Sequence, residues 1–156
     1  MSDVKKEKIS LRDLCPTICT VVASGGEFLL YPTGKSMLPT IRPEKDGVLL
    51  SSAASIEKGD IVLYKRADGS FVLHRIVSFT ERGNLVLRGD SQYIDEVGIP
   101  PSSVIAKVAA ILRDGKREIR TDARAYRTRC KMRSIGYPLR RFAHRAKNKI
   151  KRMFKR

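Results

Sequence analysis

Short apolar runs alternate with turn residues between residues 27 and 121. The breaks PEKDG, ADGS, ERGN and RDGK are rich in Gly and Asp, which favours hairpin connections. The candidate strands are EFLLYPT, GVLLSS, DIVLYKR, FVLHRIVSF, NLVLRG, VIAKVAAIL and REIRT. Seven short strands joined by local turns predict a mainly β fold, in the form of a curled antiparallel β domain without βαβ units.

A short helix is predicted before the strands. Ser10 followed by Asp13 matches a capping box, which satisfies backbone N–H groups at the start of a helix. Gly25 and Gly26 supply the backbone conformations that end a helix. Pro16 would either bend this helix or mark its first turn. We expect the helix to pack on the β domain.

The end of the chain is strongly basic. Residues 123–156 contain 14 Lys or Arg and no Asp or Glu, so they carry most of the net charge of +16. After Pro138, apolar residues recur at helical spacing, at Leu139, Phe142, Ala143, Ala146, Ile150 and Met153. This pattern predicts a basic amphipathic helix. We therefore divide the chain into residues 1–26, a β domain at 27–120 and a basic helical tail at 121–156.

The basic tail suits an anionic surface. Residues 138–156 would lie in a lipid interface with the apolar stripe shallowly buried and the basic side chains near the headgroups. A solvated tail is the second alternative, and nucleic acid or an acidic partner is the third. Nucleic acid is disfavoured because the sequence has no helix-turn-helix, no zinc motif and few aromatic residues. No run approaches the roughly 18 to 20 apolar residues of a membrane-spanning helix. We expect a cytoplasmic or peripherally membrane-associated protein.

The three cysteines, Cys15, Cys19 and Cys130, are too few and too irregularly spaced for a disulfide framework. Cys15 and Cys19 would share one helix face, but no histidine or further cysteine pair lies near them in the sequence to complete a metal site. We expect buried thiols, since free cysteine behaves as a small apolar residue. We expect no metal and no other cofactor.

Ser36 is the first candidate for chemistry. It lies in YPTGKSMLPTI, and a serine hydroxyl becomes a nucleophile only with a base to take its proton and donors for the oxyanion. The chain has two histidines, His74 in a predicted strand and His144 in the basic tail. Alternation in FVLHRIV places His74 on one face with Val72 and Ile76, a position that also suits a buried core histidine.

Acidic residues follow one hairpin after His74. They are Asp90, Asp95 and Glu96 in RGDSQYIDE, and an acid beside a histidine fixes its tautomer and stabilises its cation. Four segments, GKSMLPTI, KGDIVLY, VLHRIV and LRGDSQYIDE, occur in this order. Together they resemble the signal peptidase I family, within the wider group of serine peptidases that includes the LexA-like self-cleaving repressors. The likeness covers roughly residues 27–112.

The resemblance implies a Ser/His/Asp mechanism. In the branch with the endoplasmic-reticulum and spore-former signal peptidases, a histidine stands where other branches have a lysine, and His74 occupies that place. Ser36 would then be the acyl-forming nucleophile and His74 the general base. Asp95 would be the partner of His74, with Glu96 as an alternative, and Asp90 would hold the turn or support the site.

The resemblance also implies the kind of substrate. The segment EFLLYPT would pair with an extended peptide or protein by β-addition. The oxyanion would be bound mainly by the backbone N–H of Ser36, because Gly34 has no side-chain donor. The leading prediction is a serine endopeptidase of the signal-peptidase type.

Two alternatives stay open. One is a catalytically silent peptidase fold that acts as a binding module, for extended peptides or through its basic tail for membranes or nucleic acid. The other is a LexA-like regulator that cleaves itself. That regulator would carry a lysine at position 74 and an attached DNA-binding domain, whereas this sequence has His74 and no helix-turn-helix pattern.

Overall fold

The computed structural model describes residues 10–137, apart from the side chains of residues 133–135. Eight strands form one antiparallel sheet, with one helix before it and one after it. The elements are α1 (Leu11–Ala23), β1 (Phe28–Leu30), β2 (Gly47–Ser51), β3 (Ile61–Lys65), β4 (Phe71–Phe79), β5 (Leu85–Arg88), β6 (Glu96–Ile99), a 3₁₀ turn (Pro101–Ser103), β7 (Val104–Arg113), β8 (Arg117–Arg120) and α2 (Arg124–Ile135). The prediction of a mainly antiparallel β fold with flanking helices is confirmed. The predicted amphipathic helix after Pro138 and the charged start at residues 1–9 lie outside the described residues.

The sheet runs in the order β1-β2-β7-β3-β4-β5-β6, and β8 also pairs with β7. Seven of the strands correspond to the predicted runs, but β6 was not predicted. Its sequence EVGI is four residues long and contains Gly98, which has a left-handed φ of +84°. Glycine inside a strand weakens the pattern from which a strand is predicted. The missed strand matters, because it begins at Glu96.

Helix α1 begins and ends where the local sequence predicts. Ser10 is its N-terminal cap, and the Ser10 Oγ accepts a hydrogen bond from the Asp13 backbone N–H at 3.3 Å. Gly25 follows the helix with a φ of +82°, a conformation that glycine adopts without steric cost. Pro16 lies inside the helix, and Ile18 and Val22 are buried. The helix is therefore held by its packing on the sheet as well as by its cap.

The expectation of buried thiols is wrong for Cys19, which is exposed, while Cys15 is half-buried. The two Sγ atoms lie 4.0 Å apart, as expected for residues four apart on one helix face. The stripe of α1 that packs on the sheet runs through Leu14, Ile18 and Val22. Cys19 lies beside this stripe, so its thiol faces outward.

Alternation along β3 and β4 sends side chains into two separate apolar clusters. Ile61, Leu63 and Leu73 belong to the larger cluster, which also includes the buried residues of α1. The residues of the opposite face form the smaller cluster, which contains Val62, Tyr64, Ile76, Leu85 and Leu87. This second face is the one on which His74 lies, because His74 is directly opposite Val62 in the β3–β4 ladder.

Helix α2 lies against the body of the domain. Tyr126 packs against the larger apolar cluster, and Arg127 donates a hydrogen bond to Glu57 at 2.8 Å. In the part of the chain that the structure describes, neither helix is long and apolar enough to cross a membrane.

Candidate active site

Ser36 lies in the long loop between β1 and β2, and its backbone is fixed by Ser91. The Ser91 N–H and the Ser91 Oγ each donate a hydrogen bond to the Ser36 carbonyl oxygen at 2.9 Å. Met37 and Ile41, just beyond the serine, are buried in the larger cluster. The loop is thus held from both sides, with Ser36 itself half-buried.

Gly89 makes room for Ser36. A Cβ atom built on Gly89 would lie 2.6 Å from the Ser36 carbonyl oxygen and 2.9 Å from the Ser36 Cβ. Side-chain carbons do not approach other atoms this closely, so position 89 tolerates only glycine without displacement of the loop. Ser36 therefore occupies the space that a side chain at position 89 would fill.

The strand register places this space next to His74. Arg75 of β4 is directly opposite Arg88 of β5. Continued by one residue, the antiparallel register sets Gly89 opposite His74, and directly opposite residues project to the same face with Cβ atoms about 4.5–5.5 Å apart. Ser36 fills the side-chain position of Gly89, so it lies on the face of the sheet to which His74 points.

No hydrogen bond joins the Ser36 hydroxyl to the His74 ring within residues 10–137. Catalytic hydrogen bonds of this kind are often long without substrate and tighten when it binds. The extended register therefore places Ser36 and His74 on one face of the sheet, without a formed hydrogen bond between them.

His74 is buried, with 1% of its surface exposed, and its Nδ1 atom faces two oxygens. Glu96 Oε1 lies 3.1 Å from Nδ1, and the Tyr64 hydroxyl oxygen lies 3.2 Å from it. Tyr64 donates its own hydroxyl proton to Glu96 Oε2 at 2.8 Å, so its oxygen is left as an acceptor. Both neighbours of Nδ1 accept, which favours the tautomer with the proton on Nδ1. The Nε2 atom is then unprotonated, as a base requires.

Glu96 is held in turn by Arg66. The Arg66 Nε donates to Glu96 Oε2 at 2.9 Å, and the Arg66 Nη2 donates to Glu96 Oε1. Burial raises the pKa of Glu96, but the hydrogen bonds from Arg66 and Tyr64 outweigh it, so the net direction is downward. Glu96 is therefore a carboxylate at neutral pH.

The pKa of His74 lies below its usual value. Burial is the largest cause; the negative charge of Glu96 raises the pKa, and the positive charge of Arg66 lowers it. A lowered pKa keeps the imidazole neutral at physiological pH. The arrangement of a half-buried serine, a neutral histidine and a carboxylate can support nucleophilic attack on a carbonyl group.

The model of the Peptidase S24-like family matches residues 3–109 of the chain, a span that includes Ser36, His74 and Glu96. The chain belongs to this family. No curated protein matches the chain. The wider group named from the sequence motifs, S24-type and LexA-like peptidases, is thus confirmed.

Asp95, the predicted partner of His74, lies elsewhere in this S24-like domain. It accepts a hydrogen bond from Arg88 at 2.8 Å, while Glu96 lies at the histidine. The physical reason is the start of β6, where Glu96 is directly opposite Leu87 of the smaller cluster. Successive residues of an extended chain point to opposite sides. The side chain that reaches the face of His74 is therefore that of Glu96.

Asp90 connects the serine loop to β4. Its two carboxylate oxygens accept hydrogen bonds from Arg75, from Nε at 2.8 Å and from Nη2 at 2.7 Å. The Thr40 hydroxyl, four residues after Ser36, also donates to Asp90. Arg75 further donates to the Gly59 carbonyl oxygen at 2.7 Å. These contacts join the serine loop, the turn after β5 and β4 at one carboxylate.

Asp46 anchors the other end of the serine loop and was not singled out in the sequence. Its carboxylate is fully buried and accepts hydrogen bonds from Arg42 Nη2 at 2.8 Å and from the Asp114 backbone N–H at 3.1 Å. Arg113 of β7 pairs with the same carboxylate and donates to the Thr40 carbonyl oxygen at 3.0 Å. These partners hold the pKa of Asp46 well below its usual range, against the opposing effect of burial.

Two further residues of the site were missed in the sequence, Tyr64 and Arg66. Tyr64 could have been found, because it alternates with Val62 on the strand DIVLYKR and so faces the same side as His74. Arg66 lies just beyond β3, where alternation no longer predicts direction. Among the described residues, no group of three or more His, Cys, Asp or Glu side chains could hold a metal ion.

Proposed function

We propose that this S24-like domain is a serine endopeptidase that cleaves peptide or protein segments in extended form. Ser36 is the nucleophile, His74 the general base, and Glu96 the acid that orients His74. The proposal is supported by the position of Ser36, whose Cβ lies 2.9 Å from a Cβ atom built on Gly89. It is also supported by the β4–β5 register, which sets Gly89 opposite His74 when it is extended by one residue beyond its last pair, Arg75 and Arg88. The tautomer favoured by Glu96 and Tyr64 adds a free Nε2 atom on the base.

The reaction follows from these positions. The Ser36 Oγ attacks the scissile carbonyl carbon while the His74 Nε2 takes the hydroxyl proton. The oxyanion is stabilised by the Ser36 backbone N–H, and Glu96 stabilises the imidazolium. When the C–N bond breaks, His74 gives its proton to the leaving amine and an acyl ester remains on Ser36. Water, deprotonated by His74, then releases the acid product and restores the serine.

Within the wider group of serine peptidases, our preferred placement is the signal-peptidase branch with a histidine base. It is supported by VLHRIV, in which His74 stands where the other branches have lysine. The extended substrate is supported by β1, which leads into the serine loop and lies at one end of the sheet order among the described residues. An unpaired strand edge can add an extended peptide through backbone hydrogen bonds.

A library of peptides from a digested proteome tests the proposed function. We expect the wild-type protein to generate new peptide termini, read by mass spectrometry, and the Ser36→Ala variant to generate none. Ser55→Ala is the matched control, because Ser55 is exposed and lies outside the site, and it should retain the wild-type cleavage pattern. Products that persist with Ser36→Ala would show that Ser36 is not the nucleophile.

Self-cleavage is the second candidate, and the S24-like family match favours it because this group includes self-cleaving repressors. The same experiment separates the two functions when the protein is also incubated without peptides. A regulator that cleaves itself loses intact mass at a rate independent of protein concentration and leaves the library uncut. An endopeptidase retains its mass and cuts the library.

We also propose that residues 138–156 bring the domain to an anionic lipid surface. Helix α2, which precedes this segment, carries the exposed basic residues Arg124, Arg127, Arg129 and Lys131 and no acidic residue. Its Met132 is 69% exposed among them. Basic side chains contribute about 1 kcal/mol each near an anionic bilayer. A membrane partner is therefore favoured over nucleic acid by the combination of charge with exposed apolar groups.

Sedimentation with phosphatidylserine vesicles tests this partner. We expect binding that weakens with salt and is absent with phosphatidylcholine vesicles. Ile150→Asp, on the apolar stripe, should lower the partition coefficient by about tenfold to a hundredfold, because burial of such a side chain contributes about 1.5–3 kcal/mol. Asn148→Asp makes the same charge change off the stripe and should have a smaller effect. An equal loss of vesicle binding in Ile150→Asp and Asn148→Asp would contradict a lipid partner. So would a protein that binds duplex DNA but does not sediment with phosphatidylserine vesicles.

A further inference from the structure

We propose that Arg66 is a positioning residue that sets the pH range in which His74 acts as a base. Its guanidinium group binds the carboxylate of Glu96 through two nitrogens. This inference rests on the proposed function, in which His74 is the base. Arg66 binds Glu96, and the proposed effect on His74 is exerted through that carboxylate.

The contact between the Arg66 guanidinium and the Glu96 carboxylate is bidentate. Arg66 Nε binds Glu96 Oε2 at 2.9 Å and Arg66 Nη2 binds Glu96 Oε1. A planar guanidinium bound in this way fixes the plane of the carboxylate, which a lysine cannot do. The fixed plane directs Oε1 to the His74 Nδ1 atom at 3.1 Å and Oε2 to the Tyr64 hydroxyl at 2.8 Å. Arg66 therefore determines which carboxylate oxygen of Glu96 faces His74 and which faces Tyr64.

The same contact offsets charge. A carboxylate beside an isolated histidine stabilises the imidazolium and raises the pKa of the histidine. Here the arginine cation lies on that carboxylate, so part of its effect on His74 is cancelled. A base that must be neutral at physiological pH benefits from this cancellation, since less of it is lost to protonation.

Four titratable groups act on His74 from the surrounding elements. Glu96 from β6 and Asp90 from the loop after β5 raise the pKa of His74, while Arg66 from the loop after β3 lowers it. Tyr64 from β3 stays protonated, because burial and the neighbouring Glu96 raise its pKa. Burial of the ring lowers the pKa of His74 further. Among these groups, Arg66 is the cation, and its removal is expected to raise the pKa of His74.

The sign of the expected effect follows. Arg66→Gln removes the positive charge and leaves the Glu96 carboxylate, so the imidazolium is more stable and the pKa of His74 rises. Activity requires neutral His74, so the acid limb of the kcat/KM profile moves to higher pH. A purely structural role for Arg66 would lower the rate equally at every pH and leave the limb in place.

Titration of the His74 ring by NMR measures this directly. The chain has two histidines, so a His144→Gln background leaves the His74 ring signal alone. We expect the pKa of His74 to rise by about one unit or more in Arg66→Gln, because a nearby positive charge that disfavours the imidazolium is lost. Arg66→Lys should stay near the wild-type value because it keeps the charge. Arg120→Gln, which removes an exposed arginine paired with Glu27, should leave the titration unchanged.

Arg66→Met provides a second neutral variant that keeps an apolar stem, in case the glutamine variant does not fold. An unchanged or lower pKa in the neutral variant that folds would overturn the role of Arg66. A pH profile of peptide cleavage should shift by the same amount as the NMR titration. The NMR titration does not depend on catalysis. A protein that cuts no peptide but shows the shift would therefore contradict the proposed function, while the effect of Arg66 on the pKa of His74 would still hold.

Discussion

Replacement of Ser36 by alanine or of His74 by glutamine is expected to lower kcat/KM at neutral pH by roughly 10⁴-fold to 10⁶-fold, and the double variant should lose no more than the worse single variant. The reason is that the two side chains act as one unit, because a serine without its base and a base without its serine are equally unproductive. The measurement is single-turnover cleavage of a peptide found in the library. Additive losses in the double variant would contradict a shared proton transfer.

The adjacent acids provide a matched pair for the same assay. Glu96→Gln should lower kcat/KM by roughly 10²-fold to 10⁴-fold, because the neutral amide no longer stabilises the imidazolium or fixes the Nδ1 proton. Asp95→Asn should change it by no more than a few-fold, since Asp95 binds Arg88. The reverse order of losses would return the role of the acid to Asp95.

The β fold was predictable because its main signal is local. Short apolar runs bounded by turn residues predicted seven of the eight strands, and Ser10 and Gly25 predicted the ends of α1. Strand β6 was missed because four residues with a central glycine carry no alternation that stands out from a loop. Because β6 was not predicted, the sequence offered no strand register by which to choose Glu96 over Asp95, and Asp95 was predicted as the partner of His74.

The choice between Asp95 and Glu96 depends on direction, which is set by pairing. Adjacent residues in an extended segment face opposite sides, and the pairing of Glu96 with Leu87 determines which side faces the histidine. A shift of one residue in that register would exchange the two acids. No short motif contains this information, because it lies in the ladder between β5 and β6.

The roles of Asp46 and Arg66 could not be predicted from the sequence, because their partners are distant along the chain. Asp46 meets Arg113 across 67 positions of chain, and Arg66 meets Glu96 across 30. Charged residues at strand ends are common on protein surfaces. The local sequence around such a residue is the same whether or not a distant part of the chain supplies an ion-pair partner. The contacts become visible only when the sheet brings the ends of distant strands together.

Gly89→Ala is expected to lower kcat at least about 100-fold while the domain stays folded. The added methyl group would lie 2.6 Å from the Ser36 carbonyl oxygen, which is a backbone atom and cannot rotate away. That oxygen is also fixed by the Ser91 N–H and Oγ, so the serine loop must move as a unit. A displacement of about 1 Å at a reacting group can cost about 100-fold in rate.

Gly34→Ala is the matched control, because it is two residues from Ser36 and a Cβ there meets nothing within 4 Å. It should keep kcat within a few-fold of the wild type, and both variants should retain cooperative thermal unfolding. If Gly89→Ala were fully active, Ser36 would not depend on the space opposite His74, and the juxtaposition that supports the nucleophile would be lost. If both glycine variants were equally impaired, the loss would reflect general sensitivity of the serine loop. The difference between the two glycines therefore tests the position of Ser36 separately from its chemistry.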